Sequence, residues 1–167
     1  ERFSQTTLEA VSRQHVVDVS ENTESPGQAL KHYSPSLETF LLNLNGQVDT
    51  PIVDQAKCLP ELNLTNGVLI DFYGSLLSVK NLALEYRDLS KVGNVKEAMA
   101  NLYDYLRWAE NINGATNVFI ANFGGDHNDR ELQNEEFVET VADKTFRASC
   151  GQVLTLDINN MAFYKSQ

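Results

Sequence analysis

Lys31, His32 and Tyr33 put an ammonium, an imidazole and a phenol on three successive residues, within Pro26-Gly27-Gln28-Ala29-Leu30-Lys31-His32-Tyr33-Ser34-Pro35. Together they supply enough donors to hold a phosphate, a carboxylate or the backbone of a neighbouring domain. Pro26, Gly27 and Pro35 fix the backbone around them, so this stretch is neither a helix nor a regular strand. A plain connector needs no such set. A second grouping is Gly124-Gly125-Asp126-His127-Asn128-Asp129, between an expected strand and an expected helix. Asp126, His127 and Asp129 are potential metal ligands, and a following helix start attracts anions. The same residues also make a glycine turn with Asn128 or Asp129 as helix cap, which is the more economical reading.

Other reactive types lack the company that chemistry requires. Ser75, after Asp71-Phe72-Tyr73-Gly74, has no G-x-S-x-G elbow around it and no convincing histidine and acid to follow. Gly-x-Gly-x-x-Gly and Walker loops are absent from the sequence. Cys58 and Cys150 have neither zinc-site spacing nor a partner pattern, so reduced structural thiols are expected. Asn63-Leu64-Thr65 matches a glycosylation sequon that matters only in a secreted chain. Tyr103, Tyr105 and Trp108 share a helical stretch and read as packing or interface residues; Glu135, Glu136 and Glu139 read as a solvated face.

The elements that position these groups begin after Pro35. Thr6-Thr7-Leu8-Glu9 offers a capping box and His15 to Val19 a strand-like run, but neither has a core of its own. Residues 1–37 are therefore expected to form an extended linker arm and 38–167 the domain. Strands are expected over Glu38–Leu44, Gly67–Phe72, Asn81–Leu89, Asn117–Phe123 and Val153–Ile158. Gln47–Glu61, with two prolines, reads as loop. Asn94 with Glu97 caps a helix whose Val95, Ala98, Met99, Leu102, Leu106 and Ala109 recur on one face, stopped at Asn113-Gly114. A second helix is expected over Glu131–Cys150, closed by Gly151, and a tail after the last strand. Alternating strands and helices predict an α/β fold: a small Rossmann-like, three-layer domain with a mainly parallel sheet.

At 167 residues and 42% hydrophobic content the chain supports one core. Its net charge of -10 opposes direct contact with nucleic acid, because phosphate backbones repel an acidic surface. The longest apolar runs, Phe40-Leu41-Leu42 and Gly67-Val68-Leu69-Ile70, are too short to span a membrane. A soluble protein is expected.

The segment Pro26 to Pro35 resembles, position for position, the P-G-x-x-x-[KR]-H-Y-x-P signature in the linker of the long, two-domain form of L-threonylcarbamoyladenylate synthase. Tyr86-Arg87-Asp88-Leu89-Ser90, then Glu97-Ala98-Met99-Ala100-Asn101-Leu102-Tyr103-Asp104-Tyr105-Leu106-Arg107, is similar to the strand and helix of that family's C-terminal domain. Phe146-Arg147-Ala148-Ser149-Cys150-Gly151 is similar to its last helix. These similarities span residues 26–151; Gln152 to Gln167 and Phe123 to His127 depart from the pattern.

The resemblance implies a C-terminal regulatory and structural domain with its linker. The catalytic half, which joins threonine, bicarbonate and ATP into threonylcarbamoyl-AMP for transfer RNA modification, is absent from these residues. No catalytic residue is then expected here, and ATP and magnesium belong to the parent enzyme. By resemblance, Lys31 would meet nucleotide phosphate while His32 and Tyr33, framed by Pro26, Gly27 and Pro35, would close the pocket. The implied partner is the N-terminal catalytic domain, in the cytoplasm or an organelle. Two other readings stand beside it: an independent protein-interaction module, and a metal-dependent enzyme using Asp126, His127 and Asp129.

Overall fold

The computed structural model describes residues 36–45, 58–123 and 130–166. Six strands form one sheet: β1 (Glu38–Asn45), β2 (Gly67–Asp71), β3 (Glu85–Asp88), β4 (Asn117–Ala121), β5 (Val153–Asp157) and β6 (Ala162–Lys165), in the order β3-β2-β4-β1-β5-β6. All neighbouring pairs are parallel except β5 with β6. Strands β2 and β4 are buried along their whole length, as their continuous apolar sequences require in a sheet covered on both faces. The fold is α/β, as expected.

Two helices link the parallel strands: α1 (Val95–Glu110) between β3 and β4, and α2 (Val138–Ala148) between β4 and β5. Both connections advance toward β5, so right-handed crossovers put both helices on one face, where they touch each other. The β2-to-β3 connection advances the opposite way and therefore crosses the other face, burying Leu76 and Val79. Phe40, Phe119 and Phe163 stack in the core, with ring centroids 5.7 Å and 5.0 Å apart. Gly67 makes room for this stack: a Cβ there would lie 2.6 Å from the Phe119 ring.

Helix α1 matches its sequence pattern. The Asn94 side chain accepts the Glu97 amide at 3.0 Å, and Val95, Ala98, Leu102, Leu106 and Ala109 are buried. At the far end of α2, Gly151 (φ +75°) returns its N–H to the Phe146 carbonyl at 2.8 Å, satisfying a terminal acceptor.

Four expected boundaries are corrected. The third strand is only Glu85–Asp88, because Leu77–Leu82 forms a 3-10 helix and Leu84 turns its N–H to the Gly67 carbonyl; Leu82 and Leu84 are exposed. The second helix starts at Val138, after a 3-10 turn over Glu135–Phe137, instead of at Glu131. Gln133 is instead engaged by tertiary bonds, donating to Gly93 O and accepting from Val95 N. The fourth strand stops at Ala121. The expected tail contains β6, whose Phe163 and Tyr164 are buried against the sheet. The arm through Pro35, and residues 46–57 of the expected loop, lie outside the described residues. No helix among the described residues is long and apolar enough to cross a membrane.

Candidate functional site

Strands β2 and β3 end side by side, with Asp71 opposite Asp88 in the ladder. Each acid sits where a parallel strand gives way to a turn, and each accepts from backbone N–H groups of that turn. Asp71 Oδ1 accepts from Phe72 N at 2.6 Å and Leu76 N at 2.9 Å, while its Oδ2 accepts from the Tyr86 hydroxyl at 2.6 Å. Asp88 Oδ1 accepts from Tyr73 N at 3.0 Å and Ser90 N at 2.9 Å, and its Oδ2 from Gly74 N at 2.9 Å. The two carboxylates thus hold the β2–β3 turn and the approach to α1.

Burial pushes the Asp71 carboxyl up from the ordinary 3.8 to about 6; the neighbouring Asp88 charge adds to this, and the Tyr86, Leu76 and Phe72 hydrogen bonds oppose it. Burial, then the bond to Asp71, raises the Tyr86 phenol well above its usual range, so it remains a donor. Tyr73 has φ +55° and packs its ring where a Cβ on Gly93 would approach within 2.7 Å. The Arg130 guanidinium covers that ring at 3.7 Å and also donates to the Tyr73 carbonyl. Ser90 Oγ accepts from Asn94 N at 2.9 Å, which carries the network into the cap of α1.

This arrangement holds a backbone; it does not present a nucleophile. Asp71 is fully buried, and Ser75 Oγ donates to the Phe72 carbonyl at 2.8 Å. Beside it, Arg87 lies 4.2 Å from the Trp108 ring and 5.4 Å from that of Tyr105, so the helix aromatics form a cation-carrying shelf. Asn63 accepts both the amide and the hydroxyl of Thr65 at 2.8 Å, making the sequon-like tripeptide a local cap. Cys58 and Cys150 are free thiols; Cys58 is half-buried and Cys150 exposed.

Open α/β sheets bind ligands where adjacent strands send their continuations in opposite directions. Here β1 and β2 lead one way and β3 and β4 the other, so three neighbouring pairs, β3 with β2, β2 with β4 and β4 with β1, meet this condition. Asn122 bridges the last pair, its Nδ2 donating to Asn43 Oδ1 at 3.2 Å and its N–H to the Leu42 carbonyl at 3.3 Å. In sequence, the Gly124 to Asp129 grouping follows directly. Asp126, His127 and Asp129 lie outside the described residues, as do Pro26, Gly27, Lys31, His32, Tyr33 and Pro35. Among the described residues no group of three histidine, cysteine or acidic side chains is placed to hold a metal.

A family model described as threonylcarbamoyl-AMP synthase, C-terminal domain, matches residues 3–150. The chain belongs to this family. The match runs from the arm through both helices to Cys150, so β5 and β6 lie beyond it. No curated protein and no solved structure matches the chain. The threonylcarbamoyl-AMP synthase C-terminal domain is thus a parallel α/β layer here. Sequence reasoning did not identify its best-formed polar network, Asp71, Tyr86 and Asp88. The available signals were an aspartate ending the apolar run Val68-Leu69-Ile70 and the Tyr-x-Asp spacing in β3.

Proposed function

We propose that this chain is the regulatory and structural half of a threonylcarbamoyl-AMP synthase, carrying the linker that gates the catalytic pocket. The observation that carries the reading is the family match over residues 3–150, which takes in the Pro26–Pro35 signature together with the α/β body as far as Cys150. The parent reaction joins threonine, bicarbonate and ATP into threonylcarbamoyl-AMP with release of pyrophosphate, and the product serves transfer RNA modification. ATP and its magnesium are held by the catalytic domain on this reading, and the whole acts in the cytoplasm.

Lys31 supplies a point charge to nucleotide phosphate, and His32 and Tyr33 hydrogen-bond across the pocket mouth. Closure keeps water from an intermediate that water destroys. The α/β body provides the rigid base from which the arm extends, and the net charge of -10 complements a basic nucleotide-binding partner domain. Such work requires a packed anchor and a hinge.

Lys31→Ala and Tyr33→Phe in the two-domain protein test the reading through pyrophosphate release. Losing one charge-assisted contact is expected to lower the rate by about tenfold with the fold intact. Unchanged rates in both variants contradict gating.

A further inference from the structure

At the sheet end opposite Asp71 and Asp88 lies a cleft of about 390 Å³. It opens at the amino ends of β1 and β5 and the carboxyl end of β6. Leu59, Leu62 and Val153 form its half-buried apolar wall, and Glu38, Glu61 and Lys165 stand on its rim. Among the described residues, none of these three charges forms an ion pair.

The arm joins the body at this opening. Ser36 donates its N–H to Glu110 Oε1 at 3.4 Å at the end of α1, and Glu38, two residues later, is already on the cleft rim. Tyr33 is three residues before Ser36, a reach of about 10 Å in extended chain. Tethering at this distance sets the local concentration of the arm at about the millimolar level, so even a weak seat is occupied. The chemistry is complementary as well. The cleft offers an apolar wall and two carboxylates against one ammonium, while Lys31-His32-Tyr33-Ser34-Pro35 carries a cation, an aromatic ring and a rigid apolar end. In a chain with 13 basic and 23 acidic residues, such a basic and aromatic segment is a scarce match for an acidic rim.

We propose that this cleft is a seat for the chain's own Lys31–Pro35 segment, with Tyr33 against Leu59, Leu62 and Val153 and Lys31 facing Glu38 and Glu61. The segment assigned above to the catalytic pocket then has a second seat on its own domain. Occupying one withdraws it from the other, which gives the arm two discrete positions. The cleft and its tether do not depend on the gating reading, and the test involves no catalysis.

Amide NMR spectra of the intact 167-residue chain and its Tyr33→Ala variant provide the test. Unchanged amides across β2, β4 and α1 show that the variant keeps the fold. The expected result is a shift of the Leu59, Leu62, Gln152 and Val153 amides, with those of β3 unchanged. Glu61→Lys is expected to move the same amides, and adding Lys31→Glu to return them toward their original positions. Shifts confined to residues next to Tyr33, or no shift at the cleft, overturn the proposal.

Discussion

The two ends of the sheet treat their charged groups in opposite ways. At the carboxyl ends of β2 and β3, Asp71 and Asp88 are each engaged by three donors from the turn, the β3 tyrosine and the loop before α1. At the amino ends of β1 and β5, Glu38, Glu61 and Lys165 border an open cleft and form no ion pair among the described residues. The same residue types therefore hold the chain at one end and remain available at the other. The difference follows from where backbone groups need partners: Asp71 and Asp88 accept from N–H groups of the β2–β3 turn, whereas the rim charges face solvent.

Removing the acid at the closed end should have the largest effect. Asp71→Ala removes the acceptor shared by the Phe72 and Leu76 amides and the Tyr86 hydroxyl, a loss of about 3 kcal/mol measurable by urea denaturation. Asp71→Asn keeps an acceptor and removes the charge, so it separates the hydrogen bonds from the ionisation. Because the folded-state pKa is raised from 3.8 to about 6, Asp71 contributes stability that is fully present below 3.8 and lost as pH rises through 6. Asp88 and Tyr86 are the titratable groups facing it. A rise from 3.8 to about 6 corresponds to about 3 kcal/mol, so wild-type stability relative to Asp71→Asn should fall by about that much from acid to neutral pH. A difference independent of pH would show that the burial of Asp71 does not set its titration.

Backbone approach gives the next largest effects. Gly93→Ala combines an unfavourable positive φ with a Cβ 2.7 Å from the Tyr73 ring, and about 2 kcal/mol of destabilisation is expected on chemical denaturation. Adding Tyr73→Ala should recover the overpacking part and leave the backbone part. Loss of the α1 cap in Asn94→Ala should lower the denaturation midpoint by an amount equivalent to about 1 kcal/mol. At the open end, Glu61→Gln should change stability by less than about 0.5 kcal/mol, since its carboxylate is exposed. A large loss there would erase the contrast between the two ends.

Much of this architecture could be read from the sequence where local and tertiary preferences agree. Asn94 and Glu97 set the start of α1, the helical spacing from Val95 to Ala109 set its buried face, and the apolar runs at Gly67 and Asn117 became the fully buried strands. Tyr86 does lie in β3, but Leu82 and Leu84 extend the same alternation over a surface turn, where apolar residues at that spacing have the period of a strand. The start of α2 depended on Gln133 bonding to Gly93 and Val95, a contact between distant residues that local pattern does not encode. Strand β6 is short and preceded by an Asn159-Asn160 turn tied to Asp157, so its local sequence resembles a tail and only its pairing with β5 makes it a strand. The Asp71 network was obscured for the same reason, because a strand-ending aspartate looks alike whether it is solvated or bonded to three donors.

The central claim, that this domain acts on a catalytic partner through its arm, is tested most directly by calorimetry of the 167-residue chain against a separately expressed catalytic domain, with pyrophosphate release followed in the same mixture. The account predicts saturable binding and a changed rate with threonine, bicarbonate and ATP, both weakened by Lys31→Ala. No binding at high concentration, with turnover unaltered by the added chain, would contradict it.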